Sequence, residues 1–170
     1  MPQSFYDAEP VSEIAERLIS SYHPELGTAR IKFLFQEKAG KKGGKTVLGK
    51  TQKVSGVLEH FADCDFLIIV AQDQWNDLPS QKRTALIDHL LERCTGVEDE
   101  EDPGAPMKWS TREPDVNEFA TILQRYGAWT EDLAGFCQVA ASLDSEVEEV
   151  ATPVVRNRRL STEPEVRADA

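Results

Sequence analysis

Gly44, Gly49, Lys50 and Thr51 fit the phosphate-loop pattern G-x-x-x-x-G-K-[ST] at every fixed position. In such a loop a buried strand leads to the first glycine, a helix starts at the lysine, and backbone N–H groups hold nucleotide phosphates. Here AGKKG precedes the first glycine, and TQKVSG follows the lysine. These flanks favour a lysine-rich β-hairpin. Nucleotide binding through the four residues stays a less favoured alternative.

A second candidate site lies in TALIDHLLERC, residues 84–94, whose apolar spacing is helical. His89 and Arg93 are four residues apart and share a helix face. In a zinc peptidase helix, H-E-x-x-H, two histidines at this spacing bind the metal and the glutamate activates water. This chain has Leu90 at the position of the glutamate and Arg93 at that of the second histidine. The pentapeptide alone does not predict zinc.

Hydrophobic periodicity predicts the elements that must position these residues. Alternating apolar side chains indicate strands, and apolar residues three and four apart indicate helices. The pattern predicts helices near 10–22, over 78–96, from 114 and from 130, and strands over 29–37, 46–54 and 65–75.

The order of these elements predicts an α+β fold. We expect a small, mostly antiparallel sheet built from 29–37, 46–54 and 65–72, with the helix 79–94 packed across it. Residues 5–150 would form one domain. Residues 151–170 have little to bury and are predicted to be a flexible tail.

The stretch DFLIIVAQDQWNDLPSQKRTALIDHLLERC resembles the putative phage metallopeptidase family, a zincin-like group. That family has a strand that ends in a DLWN-like segment, followed by a helix of the type ALVDHELCHC, and it has a GKVLGKA-like turn where this chain has GKTVLGKT. The resemblance covers roughly residues 10–135. It is most specific in Trp75-Asn76, Asp88-His89, Cys94, Lys108-Trp109 and Arg125-Tyr126-Gly127.

The resemblance implies a zincin-like fold but does not support the family's activity. The catalytic glutamate of the family falls on Leu90 and the second histidine on Arg93, and no histidine follows His89. Near the third ligand the chain reads Arg112-Glu113-Pro114-Asp115, with proline where a histidine is expected. A leucine cannot accept a proton from water, and a guanidinium is not a metal ligand.

We therefore expect no catalytic residue and no zinc or other cofactor. His89, Leu90, Glu92 and Arg93 are the degenerate active-site positions, and His89 is the remaining metal candidate. A site built from His89, Glu92 and Cys94 is not expected, because these residues do not share a helix face. A zinc metallopeptidase with atypical ligands stays the alternative.

Charge is distributed unevenly along the chain. The net charge of the 170 residues is −11. Residues 1–96 carry 12 Lys and Arg against 13 Asp and Glu, whereas residues 97–170 carry 7 against 17. Within the first part, residues 38–53 contain six lysines and no acid. The acidic part disfavours general nucleic-acid binding and favours a basic partner.

Other features predict a protein of the host cytoplasm. The longest apolar run, FLIIVA, is too short to span a membrane. The segment MPQSFYDAEP lacks the charge and apolar pattern of a secretory signal. Cys64, Cys94 and Cys137 are widely spaced and odd in number, which indicates reduced thiols.

Taken with the resemblance, these features suggest a phage-encoded, non-catalytic metallopeptidase-like protein in the cytoplasm of a bacterial host. We expect it to bind a host protein with a basic surface, and to inhibit a defence or DNA-processing factor, without contacting a membrane or nucleic acid directly. Acidic residues would steer the encounter and tryptophans would anchor it. The candidate contact residues are Glu98, Asp99, Glu100, Glu101, Asp102, Trp109 and Trp129.

Overall fold

The computed structural model describes the backbone of residues 3–151 and the side chains of residues 3–144. This part of the chain forms two compact units, divided between Pro114 and Asp115, and each is described by itself. The single domain over 5–150 stays a prediction. Nearly all of the predicted tail, residues 152–170, lies outside the described residues.

The first unit is an α+β structure, as predicted. In chain order its elements are β1 (Phe5–Asp7), α1 (Glu9–Tyr22), a 3-10 turn (Pro24–Thr28), β2 (Ile31–Gln36), β3 (Gly40–Lys42), β4 (Lys45–Val47), β5 (Gly49–Lys53), α2 (Val57–Ala62), β6 (Phe66–Ala71), α3 (Gln72–Asp77), α4 (Ser80–Glu92), β7 (Cys94–Val97) and β8 (Lys108–Thr111).

Four of these strands form the main sheet, in the order β1-β2-β6-β5. The pair β2–β6 is parallel and the other two pairs are antiparallel. β6 has an almost continuous apolar sequence because it is central and buried on both faces; Phe66, Ile68 and Val70 are fully buried. Each of the three predicted strand segments therefore contributes one strand to this sheet, and β1 is added at an edge.

The core of the first unit lies between this sheet and two helices, α1 and α4. The helical apolar spacing of this segment forms a buried stripe on α4, made of Ile87, Leu90 and Leu91, and Cys94, the first residue of β7, is buried as well. Burial of such a stripe stabilises a helix much more than residue propensity does. Among the described helices, none has the length and apolar character that crossing a membrane requires.

The segment 46–54 forms two strands rather than one. β4 pairs with β3 in a separate two-stranded hairpin, and β5 pairs with β6 in the main sheet. The chain changes partner at Leu48, whose carbonyl accepts a hydrogen bond from the N–H of Ala71 at 2.9 Å. Residues 40–47 therefore form a basic hairpin outside the main sheet.

The strand predicted over 65–75 is too long, because α3 begins at Gln72. Asp73 lies in the first turn of α3 and accepts hydrogen bonds from the N–H groups of Gln74 (2.8 Å) and Ala39 (3.0 Å). A carboxylate at this point favours the start of a helix. Trp75 is buried by the same change of direction.

The helix predicted over 78–96 is also too long, since α4 ends at Glu92 and β7 follows. Gly96 does not end a helix but lies within β7, opposite Trp109 on β8. A Cβ atom at residue 96 would lie 2.5 Å from the Trp109 ring. The glycine therefore lets this ring pack closely, and the β7–β8 hairpin was not predicted.

The second unit contains two helices in its described part, α5 (Ala120–Tyr126) and α6 (Glu131–Ala151). α5 begins six residues later than predicted, because the carboxylate of Glu118 accepts the N–H of Phe119 at 2.7 Å and Phe119 is extended. α5 ends at Tyr126, with Gly127 as its C-cap residue. At the start of α6 the hydroxyl of Thr130 accepts the N–H of Leu133 at 3.3 Å and so caps the helix.

Candidate functional site

A pocket of about 600 Å³ lies in the first unit between the C-terminal half of α4, strand β5 and the basic hairpin. We call it the α4 pocket. His89 and Arg93 both line it, because residues four apart lie on one side of the helix. The described lining residues also include Lys41, Lys42, Gly49, Lys50, Thr51, Leu90 and Glu113.

Leu90 is 2 % exposed and forms part of the floor of the pocket. It packs against Gly49 so closely that a Cβ atom at residue 49 would lie 2.7 Å from Leu90 Cδ1. Thr51 Oγ1 donates a hydrogen bond to the Leu90 carbonyl at 2.7 Å. The glycine and the threonine of the phosphate-loop pattern thus hold β5 against α4.

The remaining residues of the pattern also have a structural place. Gly44 lies in the turn of the basic hairpin with φ +78°, a conformation that favours glycine. Lys50 lies within β5, opposite Ile69 of β6, and no helix starts there. The segment therefore lacks the strand–loop–helix arrangement in which N–H groups point at a phosphate.

Arg93 is held in an ion pair at the wall of the pocket. Its Nη2 donates to Glu113 Oε1 at 2.9 Å, and its carbonyl accepts the N–H of Arg112 at 2.9 Å. Glu113 lies in the segment where the resemblance places a third ligand. Arg93, where the resemblance places a second histidine, therefore carries a positive charge that is paired with Glu113.

Asp88 and His89 point to different surroundings, although they are adjacent. His89 is exposed, lines the α4 pocket and makes no hydrogen bond within the described part of the chain. The Asp88 carboxylate accepts a hydrogen bond from Nε2 of His23 at 2.6 Å. His23 is 3 % exposed and precedes the 3-10 turn, so Asp88 fixes α4 to the end of α1.

Glu92 and Cys94 do not face the pocket. Glu92 Oε2 accepts a hydrogen bond from Arg112 Nη2 at 2.6 Å. Cys94 is buried in the core, and this burial raises the pKa of its thiol to about 12. A thiol must lose its proton to bind a metal, so Cys94 is a poor ligand.

The donor set of the pocket does not fit a catalytic zinc site. Such a site uses three nitrogen, sulfur or oxygen ligands from the protein. Of the described lining residues, His89 and Glu113 are the metal-binding types, and Glu113 is paired with Arg93. Nowhere in the described residues do three His, Cys, Asp or Glu side chains come together as a metal group.

The candidate partner-contact residues of the first unit lie on the loop between β7 and β8 and on β8 itself. Asp99 is tied to this hairpin, since Lys108 Nζ donates to its Oδ2 at 2.7 Å; this bond lowers the pKa of the carboxyl. Trp109 is half-buried, with its ring centroid 5.7 Å from that of Phe66. Glu98, Glu100, Glu101 and Asp102 are exposed.

Trp129, the remaining candidate, lies in the second unit. It is 62 % exposed, and its indole N–H donates to Glu118 Oε2 at 3.0 Å. α6 carries further exposed apolar side chains, namely Phe136, Val139 and Leu143. These three residues were not among the sequence candidates, although their helical spacing is a signal of an apolar face.

Fold and site together define a small α+β protein in which His89, Leu90 and Arg93 of the α4 segment line one pocket. The family model described as Putative phage metallopeptidase matches residues 3–141, and the chain belongs to this family. The match spans the resemblance seen in the sequence and extends it at both ends. No curated protein and no solved structure matches the chain.

Proposed function

We propose that this chain is a non-catalytic member of its family that acts by binding another protein. The proposal that the chain is non-catalytic rests on the two residues beside His89 in the α4 pocket. Leu90 is packed into the floor, and Arg93 is ion-paired with Glu113. These are the two positions at which a metallopeptidase of this type needs a proton acceptor and a ligand.

The chemistry of these side chains opposes peptide hydrolysis. Zinc-dependent hydrolysis requires a metal that lowers the pKa of water and a base that takes the proton. The side chain of Leu90 has no lone pair that could accept this proton. The guanidinium of Arg93 is a cation and not a metal ligand, and it repels a metal ion near His89.

The proposed partner is a host protein with a basic surface, in the cytoplasm of the bacterium. The acidic balance of residues 97–170 supports this choice, because it gives the chain a long-range attraction to positive surfaces. Exposed Trp129 and Phe136 supply apolar area of the kind found in binding hot spots. Proteins that bind nucleic acid carry basic surfaces, so the proposed target is a defence or DNA-processing factor.

The first experiment tests the loss of the metal site. We expect purified protein to contain no stoichiometric zinc by elemental analysis. The double variant Leu90→Glu/Arg93→His restores a base and a second ligand, and it frees Glu113 as an oxygen ligand, so zinc should bind. One equivalent of zinc in the unmodified protein, lost in His89→Ala, would establish the alternative, a metallopeptidase with atypical ligands.

The second experiment tests partner binding. A pull-down from host lysate identifies the partner, and the association rate is then measured at two salt concentrations. One variant neutralises the acidic loop, residues 98–102. The control neutralises five exposed glutamates elsewhere: Glu9, Glu13, Glu16, Glu25 and Glu37.

Neutralising the acidic loop should slow association and flatten its salt dependence, because steering acts at long range and is screened by ions. The control removes the same charge and should change the rate much less. Equal effects of the two variants would show that only the net charge matters. An unchanged rate in the loop variant would remove this surface from the mechanism.

A further inference from the structure

The α4 pocket is lined by positive charges, although the chain as a whole is acidic. Lys41 and Lys42 come from the basic hairpin, Lys50 from β5 and Arg93 from the end of α4. Glu113 is the one acidic side chain among the described lining residues. Four of the described lining residues are thus cationic and one is acidic, within a chain whose net charge is −11.

In the described part of this unit some cations are ion-paired and others are not, and the three lysines belong to the second group, as do Lys45 and Lys53. Lys108 pairs with Asp99 at 2.7 Å, and Arg93 pairs with Glu113. Within the described residues, neither Lys41, Lys42 nor Lys50 forms an ion pair. Like charges gathered around one concavity repel each other, and an anion bound between them removes this repulsion.

We propose that the α4 pocket binds a small molecule that carries more than one phosphate group. A pocket of about 600 Å³ is larger than a single phosphate needs, and it is within the range of small-molecule sites, roughly 300–1,000 Å³. Lysine ammonium groups bind phosphate oxygens as point charges. A phosphate group also competes with Glu113 for the guanidinium of Arg93.

The lining favours recognition by charge rather than by a nucleobase. Apart from the imidazole of His89, the described lining contains no aromatic ring on which a base could stack. Nor does the site use phosphate-loop geometry, since Lys50 contributes from within a strand. We therefore expect pyrophosphate and tripolyphosphate to bind, with no gain from an attached nucleoside.

This proposal does not need a protein partner, but it shares with the proposed function the absence of a metal in the pocket. The two are separated by measuring binding after treatment with EDTA. A bound zinc ion would itself attract phosphate, and its removal would abolish binding. Cation-based binding by the lysines persists without any metal.

The experiment is calorimetric titration of the full chain with tripolyphosphate at constant ionic strength. The test variant Lys42→Met/Lys50→Met removes two pocket charges and retains apolar stems of similar length. The matched control is Lys45→Met/Lys53→Met, which removes the same charge from the same hairpin and the same strand. Lys45 and Lys53 are exposed and do not line the pocket.

We expect one tripolyphosphate per chain, affinity weakened about tenfold or more in the test variant, and a change of less than about threefold in the control. Equal weakening in both variants would reduce the effect to overall charge and overturn the proposal. An absence of saturable binding, or a loss of binding after EDTA treatment, would also overturn the proposal. Equal affinity for citrate would overturn the assignment to phosphate, and tighter binding of ATP would overturn recognition by charge alone.

Discussion

Gly49→Ala is expected to destabilise the first unit through Leu90. The new methyl group would lie 2.7 Å from Leu90 Cδ1 and 3.2 Å from the carbonyl oxygen of Ile69. Leu90 is 2 % exposed, so its side chain has little space into which to move. Overpacking of a core typically costs about 1–3 kcal/mol. The lower chain entropy of alanine in the unfolded state returns about 0.4–1 kcal/mol. The expected net loss in the free energy of unfolding is thus about 1.3 kcal/mol at the midpoints, within a range of about 0–2.6 kcal/mol.

A double-mutant cycle assigns this loss to the contact. Leu90→Ala alone should destabilise by about 2–5 kcal/mol, because it leaves a cavity in the core. In that background Gly49→Ala no longer meets the leucine, so its effect should shrink to about 0.5 kcal/mol and the coupling energy should be about 1 kcal/mol. Gly27→Ala is the control, since a Cβ at residue 27 has nothing within 4 Å.

The measurement is urea denaturation followed by tryptophan fluorescence and by circular dichroism. Coincident transitions and equal m-values are required before the free energies are compared. Gly27→Ala should lie within about 0.5 kcal/mol of the unmodified protein. If the effects of Gly49→Ala and Leu90→Ala are additive within about 0.3 kcal/mol, the close packing of β5 on α4 is refuted.

Three further predictions concern buried groups. Asp88→Ala should lower the free energy of unfolding, measured by urea denaturation, by about 1–3 kcal/mol, because it leaves the buried His23 without its acceptor. Asp88→Asn keeps an acceptor, so an equal loss in both variants would contradict this reason. Burial raises the pKa of the Cys94 thiol to about 12. At pH 8 this residue should therefore resist iodoacetamide in the native protein and react in urea, as measured by mass spectrometry. Fast labelling of the native protein would show that the core around Cys94 opens. Burial raises the pKa of Asp65, but the hydrogen bonds from Arg30 outweigh it and the net pKa is lowered. The stabilisation that Asp65 gives the folded protein is therefore complete above the ordinary carboxyl pKa of about 4 and is lost as pH falls through the lowered value. Asp65→Asn should make the free energy of unfolding less dependent on pH in that window. An unchanged pH dependence would refute the role of Arg30.

The parts of the fold that could be predicted are those encoded by local periodicity. Alternating apolar residues mark β2, the continuous run 66–71 marks the central strand, and the apolar stripe of α4 marks its buried face. Each of these signals is contained in a window of a few residues. The helix bounds were less accurate, because side chains such as Asp73 and Glu118 decide where a helix begins.

The composition of the α4 pocket could not be predicted from the sequence, and the assignment of Leu90 and Arg93 to degenerate metallopeptidase positions stays a prediction. Leu90 and Arg93 were identified through the resemblance, since the motif is contiguous. The pocket also depends on Lys41, Lys50 and Glu113, which come from separate segments that only the fold brings together. The same holds for the bond between His23 and Asp88, 65 residues apart in the chain.

The basic hairpin is a separate two-stranded sheet, not a continuation of the main one. Lys41 and Lys42 can therefore be replaced without disturbing the hydrogen bonds of the main sheet or the core under α4. Two of the four cations of the pocket thus lie outside the main sheet, whereas Lys50 lies within it on β5. Natural variants of the hairpin could change which anion is preferred with little change in melting temperature, whereas variants at Leu90 would change both together.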